Sequence, residues 1–301
     1  MIPCIPSVRS ALLTAAVLTP LLAAWAYPVS AGPPATAQPF QRPDVKHAIV
    51  VVLENEDAAD AYRQPFFTSL AAKGASFANF YAITHPSQPN YIALTSGSLH
   101  GIDSNDIVTI DTRHLGDLLE AKGLDWKVYA EGYPGDCFLG VRAGMKADGE
   151  FVRRHLPFLS YANVQKSAGR CSRIVEAKQF DRDFVAGHLP AFALYVPNDR
   201  NNGHDTGVRY AAEAMKKRFG ALLDDPRFTK DTIFVVTFDE STRLGGNRIL
   251  TIMVGDTVRA GIEVKERYDL YSLLRTIEEI FGTGTLGLED AKATPIAGIW
   301  K

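Results

Sequence analysis

His47-Ala48-Ile49-Val50-Val51-Val52-Leu53 is an unbroken apolar run that ends directly in Glu54-Asn55. It has strand length, is rich in β-branched residues and shows no helical alternation. Such a run suits a strand covered on both faces, as at the centre of a parallel sheet. Further strands are expected at 76–81, 126–130, 192–196, 232–237 and 249–254. Apolar residues at helical spacing predict helices at 65–72, 112–122, 210–223 and 270–281, the first two stopped by Gly74 and Gly123. Strands that alternate with helices give an α/β class, with a mostly parallel central sheet flanked by helices.

Three of these strands end in acidic or amide residues: Glu54-Asn55, Asn198-Asp199 and Asp239-Glu240. Open α/β sheets bind ligands at the carboxyl ends of their strands, so the repeated polar ends point to one shared site. The strand at 76–81 leads instead to His85-Pro86-Ser87-Gln88-Pro89-Asn90-Tyr91 and the apolar Ile92-Ala93-Leu94-Thr95. A serine at such a strand-to-helix turn lies beside free N–H groups and the positive end of a helix dipole. That is a place to hold a phosphate and attack it. The competing role for Ser87 is a plain helix N-cap; the acidic clusters favour the nucleophile.

Glu54, Asp239 and Glu240 offer hard oxygen ligands for one divalent cation, with Asn55 and Ser87 beside them. A cation there lowers the pKa of a serine hydroxyl or screens a phosphate from its attacker. His204, in Gly203-His204-Asp205, suits a metal ligand, a general acid or a phosphate donor. Asn105, after His100-Gly101-Ile102, supplies an amide for a non-bridging oxygen. His47, His114 and His188 read as surface or core histidines, Asn163 as a turn residue, and His85 has no assigned role. Arg248 either reaches the site or pairs on the surface.

The chain has 301 residues, 46% hydrophobic and 22% charged, with a net charge of -2. No basic stripe argues for nucleic acid. At the N-terminus, Arg9 precedes an apolar run over 11–26 that contains Pro20, and Val29-Ser30-Ala31 offers a cleavage site. We expect a signal peptide over 1–31, a Pro-rich linker over 32–44 and one folded domain over 45–301, hence export. A membrane anchor is the alternative, but the run is short for a span of ~20 residues. Cys4 leaves with the signal. Cys137 and Cys171 remain, and an even pair in an exported chain suggests one disulfide; two separate buried thiols are the other reading. The stretch 131–179 is rich in Gly, Arg and Tyr and reads as an irregular lid or insertion over the sheet edge.

Taken together, Glu54-Asn55, Thr84 to Tyr91, Pro197 to Asp205 and Thr237 to Glu240 resemble the bacterial phosphoesterase family of the alkaline phosphatase superfamily. Arg154-His155-Leu156-Pro157-Phe158 and Tyr161-Ala162-Asn163-Val164 carry the same likeness. It runs from about Lys46 to Trp300 and is strongest to secreted acid phosphatases, including those acting on phosphatidylinositol 3-phosphate. The resemblance implies an alkaline-phosphatase-like fold. It also implies a phosphomonoester substrate, a phosphoinositide at a membrane surface among the options, and a phosphoserine formed on Ser87. It gives Asn105 a phosphate contact and makes Asp199 and His204 a metal pair. Two-zinc relatives use a further histidine late in the chain and a histidine after the aspartate of the last pair. This chain has no histidine after His204 and carries Glu240 in the other place. One oxygen-rich metal site is therefore expected rather than two zincs, with phosphate charge met by His204, His155 or Arg153. A phospholipase C-like phosphodiesterase and a non-catalytic exported phosphate-binding protein are the rival readings.

Overall fold

The computed structural model describes residue 1 and residues 39–301. The expected signal peptide and most of the linker lie outside the described residues.

Among the described residues ten strands are present: β1 (His47–Leu53), β2 (Ala75–Tyr81), β3 (Trp126–Ala130), β4 (Arg142–Ala143), β5 (Phe151–Val152), β6 (Ile174–Glu176), β7 (Phe192–Val196), β8 (Thr232–Phe238), β9 (Thr251–Val254) and β10 (Ile262–Asp269). Eight of them form one sheet in the order β10-β2-β9-β8-β1-β7-β3-β6, and β4 pairs with β5 in a separate ribbon. β1 lies between β8 and β7 and is parallel to both, with Val50 opposite Val235 on one side and Leu194 on the other. Every residue from Ala48 to Leu53 is buried. Burying each Val, Ile or Leu there contributes roughly 1.5–3 kcal/mol, which is why this run makes the centre of the sheet.

Within the eight-stranded sheet β9 is the one antiparallel strand, paired with β8 and with β2. The segment from Asp239 to Leu250 contains no helix. A parallel return needs a crossover, usually helical, so this connection turns back as an antiparallel pair. Because the other seven strands point the same way, the ends of β1, β2, β7 and β8 open on one edge of the sheet. The architecture is thus the expected mostly parallel α/β sheet with flanking helices.

Two elements depart from expectation. β10 was not foreseen: its sequence, Ile262-Glu263-Val264-Lys265-Glu266-Arg267-Tyr268-Asp269, buries only Val264 and Tyr268. It is an edge strand, and charges on an edge strand discourage further pairing while hiding its periodicity. The stretch 131–179 is not wholly irregular either. Its β6 is the opposite edge of the sheet, parallel to β3, and Phe158, Leu159 and Tyr161 are fully buried core residues. Cys137 and Cys171 are joined in a disulfide with Cα atoms 5.3 Å apart, 34 positions apart in sequence. In the chain-entropy view a loop of that size contributes roughly 3–4 kcal/mol by restricting the unfolded chain. Among the described residues no helix is long and apolar enough to cross a membrane.

Candidate active site

Ser87 opens the Ser87–Ser96 helix, directly after Pro86. Asn90 fixes the turn that presents it. Its Oδ1 accepts the N–H groups of Ile83 (2.9 Å) and Thr84 (3.0 Å), and its Nδ2 donates to the carbonyls of Thr84 (2.8 Å) and Pro86 (3.2 Å). A fully buried amide with four partners is held in one rotamer, and so is the turn. Ser87 itself is buried, with Oγ 3.0 Å from Glu240 Oε1 and 3.2 Å from Glu54 Oε2. Glu54 follows β1 and Glu240 follows β8, so two adjacent parallel strands deliver the two carboxylates.

The carboxylates are held by neighbours. Tyr91 OH donates to Glu54 Oε1 at 2.5 Å, and Asn55 Nδ2 donates to Glu54 Oε2 at 2.9 Å. Asn55 adopts a left-handed backbone, φ 55°, a region that Asn tolerates better than most residues. Its N–H donates to Asp239 Oδ1 at 3.1 Å, as does the N–H of Glu240 at 2.7 Å. His85 Nδ1 lies 2.5 Å from Glu240 Oε2, which gives this residue a place that its sequence context did not.

A second group lies along the loop after β7. Asp199 Oδ2 meets Arg142 Nη1 at 3.2 Å, and Asp199 contributes with His204 and Asp205 to a set of ligand atoms all within 4.8 Å of one another. His155 connects the two groups: Nε2 is 3.2 Å from Glu54 Oε1, off-line for a hydrogen bond, and Nδ1 is 3.5 Å from Asp199 Oδ1. The ring stacks on Tyr91 with centroids 5.4 Å apart.

Burial governs the electrostatics. Burial first, then the charge of Asp239, pushes Glu54 well above the usual carboxylate range. Burial and the charge of Glu240 raise Asp239 to about 7, and burial raises Asp199. Burial, with Arg154 close by, holds His155 well below an ordinary imidazole, so the ring is neutral. Several desolvated carboxylates facing one another are unfavourable without a cation. Asp239 Oδ2 is buried and has no hydrogen-bond partner. By type, these donors suit a divalent cation: an orphaned buried carboxylate oxygen, further oxygens from Glu54 and Glu240, and the Ser87 hydroxyl; the three carboxylates are not, however, gathered within 4.8 Å of one another as Asp199, His204 and Asp205 are. The Asp199, His204 and Asp205 set is equally suited by its chemistry.

The structure also redistributes some expected roles. Arg153 is spent on the fold: its guanidinium donates to the carbonyls of Leu139 (2.8 Å), Leu159 (2.9 Å) and Val108 (3.2 Å). Those three bonds engage it with the backbone rather than with the site's carboxylates. Besides Arg142, the next residue, Arg154, brings a cation to the site: its Nη2 is 3.5 Å from His204 Nε2 and its charge acts on Glu54 and Asp199. The Arg153-Arg154 pair was the signal, and only packing distinguishes its members. His155, expected as a substrate contact, is buried between the Glu54 and Asp199 carboxylates. Asp199 falls with His204, as the resemblance implied, and with the unforeseen Asp205. His204 is partly exposed, with Nδ1 2.9 Å from Asp205 Oδ1. Asn105 Oδ1 accepts the Gln88 N–H at 3.0 Å, which turns its Nδ2 the other way. Because Pro89 has no N–H, that bond leaves little of the helix N-terminus free for an anion, less than the turn alone suggested. His114 is a buried helix cap, accepting the Gly116 N–H at 3.1 Å and meeting Asn163 Oδ1 at 3.0 Å. Arg248 donates to the Ala78 carbonyl at 3.1 Å.

Comparison with known proteins places this geometry in context. Residues 60–284 match the model of the phosphoesterase family. An acid phosphatase of Aspergillus fumigatus is 31% identical over 81% of this chain and 56% of its own length. An acid phosphatase of Aspergillus niger is 32% identical over 80% of this chain and 60% of its own. The chain thus spans little more than half the length of these fungal relatives. A phosphatidylinositol-3-phosphatase of Mycobacterium tuberculosis is 30% identical over 93% of this chain and 90% of its own. In solved structures, a protein of the alkaline phosphatase superfamily from Vibrio parahaemolyticus shares the fold. Its TM-score is 0.57 at 16% identity, covering 84% of this chain and 71% of that one.

Proposed function

Since the chain belongs to the phosphoesterase family, we propose that it is an exported phosphatase that hydrolyses phosphomonoesters through Ser87, in the manner of the acid phosphatases it resembles. The observation that carries this reading is the Ser87 hydroxyl, buried and within hydrogen-bond distance of both Glu54 and Glu240. A helix cap has no use for two carboxylates at its oxygen; a nucleophile does.

Ser87 Oγ attacks phosphorus in line and the ester P–O bond breaks. The Ser87 proton passes to a flanking carboxylate, and Glu54, whose pKa is pushed up by burial, is suited to keep it. The departing alcohol takes up a proton from solvent. Water then attacks the phosphoserine and loses a proton to solvent, the P–Oγ bond breaks, and Ser87 recovers its proton from Glu54. Arg154 and the Nδ2 of Asn105 face the growing charge on the non-bridging oxygens. His155 and Tyr91 hold Glu54, and His85 holds Glu240. Glu54, Asp239, Glu240 and Ser87 would hold one divalent cation, and Asp199, His204 and Asp205 a second. The chemistry supplied is a lowered pKa at the serine hydroxyl and screening of phosphate charge.

The Mycobacterium tuberculosis relative, matched over nearly its full length, makes a phosphoinositide monoester the first substrate to try. Purified protein and its Ser87→Ala variant should be assayed on p-nitrophenyl phosphate, bis-p-nitrophenyl phosphate and phosphatidylinositol 3-phosphate. Monoester turnover that vanishes in Ser87→Ala supports the proposal. Preferred turnover of the diester, or phosphate bound without release, overturns it.

A further inference from the structure

Among the described residues nine large apolar side chains are exposed, and five of them sit on the loops that rise from the carboxyl edge of the sheet around Ser87. Ile107 lies two residues beyond Asn105. Leu139, Val141 and Met145 lie on the excursion that follows β3. Leu244 lies on the loop that follows Asp239-Glu240. Leu244 is 97% exposed, Met145 68% and Val141 55%. Isolated apolar surface residues are ordinary; five on loops at one edge of the sheet are not.

These positions are tied to the site. One guanidinium, that of Arg153, binds the carbonyls of both Leu139 and Val108, which brings the Ile107 loop against the Leu139–Val141 segment. The N–H of Arg153 holds the carbonyl of Val141 at 3.0 Å. Arg142 reaches Asp199, and Lys146 pairs with Asp205 at 3.3 Å, so Met145 is anchored beside His204. The disulfide to Cys171 fastens the start of the same excursion. On the other side, Asp57 Oδ1 accepts from the N–H and the hydroxyl of Thr242, which fixes the base of the Leu244 loop.

Each of the rim's three most exposed apolar tips has a cation next to it in sequence, Val141-Arg142, Met145-Lys146 and Arg243-Leu244; Arg142 is engaged by Glu150 and Asp199, so the other two are the ones that face solvent. Lys146 is largely exposed, and Arg243 is exposed with no ion pair among the described residues. A protein partner groove would favour a continuous apolar face. Separate apolar tips flanked by cations match a bilayer surface, where side chains enter the acyl boundary and cations meet anionic headgroups. No helix among the described residues crosses a membrane, so this contact is peripheral.

We propose that the rim formed by Ile107, Leu139, Val141, Met145 and Leu244 docks the enzyme on an anionic lipid surface, with the carboxyl edge of the sheet that carries Ser87 turned toward the headgroups. Docking at that edge rests on the phosphatase reading for its purpose: it presents a membrane-held phosphomonoester to Ser87 without extracting the lipid.

The test compares the full chain with a Met145→Ser/Leu244→Ser variant and with Arg243→Glu. Vesicles of phosphatidylcholine, with and without phosphatidylserine, are sedimented with each protein. Binding of the parent to the anionic vesicles, weakened on the order of tenfold by the double substitution and by added salt, supports the proposal. Arg243→Glu should weaken binding to the anionic vesicles alone. Parent binding that is absent, or that survives both substitutions, overturns it. So does a concentration-dependent dimer that the double substitution dissolves, since the rim would then serve a second copy of the chain. Turnover of p-nitrophenyl phosphate, unchanged in both variants, reads the phosphatase assignment separately: its absence in the parent sinks that assignment, whatever the vesicles report.

Discussion

Ser87 Oγ lies 3.0 Å from Glu240 Oε1, although 153 positions separate the two residues in sequence. The contact exists because β2 and β8 end at the same edge of the sheet, one leading into the Ser87 helix and the other directly into Asp239-Glu240. Replacing Glu240 by Gln keeps the volume and removes the charge. We expect kcat on p-nitrophenyl phosphate to fall by about 10²–10³-fold with little change in Tm. A Glu240→Gln enzyme with parental kcat would remove Glu240 from the chemistry.

Arg153 and Arg154 should separate cleanly. Arg153→Ala leaves buried carbonyls without their donor and should cost about 2–4 kcal/mol of stability, read by urea denaturation. Arg154→Ala should leave the denaturation midpoint nearly unmoved and lower kcat/KM by about 10²-fold. The reverse pattern would show that the two roles are exchanged.

Asn105→Ala removes the amide that binds the Gln88 N–H and turns its Nδ2 outward. A loss of about 10–10²-fold, falling on kcat more than on KM, is expected if that Nδ2 acts in the transition state. A change confined to KM would mark it as a ground-state contact only.

Asp239 Oδ2 has no partner in its buried position. Chelator treatment should therefore lower activity, and a divalent cation should restore it. Asp239→Asn should reduce the metal content measured by elemental analysis, independently of turnover. Full activity and no bound metal after exhaustive chelation would exclude a cation role for this group.

Away from the site, Glu278 is buried in the Leu270–Phe281 helix, and burial together with the charge of Asp290 raises its pKa to about 9. The folded state therefore keeps a proton that the unfolded chain releases near 4.5. The stabilisation is complete below about pH 4.5 and is lost progressively as pH rises toward about 9. At pH 7 the loss is on the order of 3 kcal/mol. Glu278→Gln should raise stability at pH 7 and flatten the decline measured by denaturation from pH 5 to 9. An unchanged slope would place that proton elsewhere.

Much of the fold was legible because apolar runs report burial directly. β1, β3 and β7 occur at the expected residues, since a strand covered on both faces must be apolar throughout. β10 was not, because an edge strand facing solvent needs only Val264 and Tyr268 on its buried side. Likewise, Phe158 and Tyr161 lie in the core although their surroundings read as an irregular lid.

The candidate site divides in the same way. Sequence alone determined the class of fold, the serine turn and the acidic ends of the strands, since each depends on local pattern: continuous burial, a capped turn, a polar residue where a strand stops. Tertiary structure alone decided which of these groups meet. It set Ser87 between Glu54 and Glu240, added Asp205 to the Asp199–His204 pair, and turned Arg153 to backbone carbonyls while leaving Arg154 beside His204. Those outcomes depend on strand order and on the direction of each side chain. Neither is encoded at any single position, because both arise from how distant segments share one buried volume.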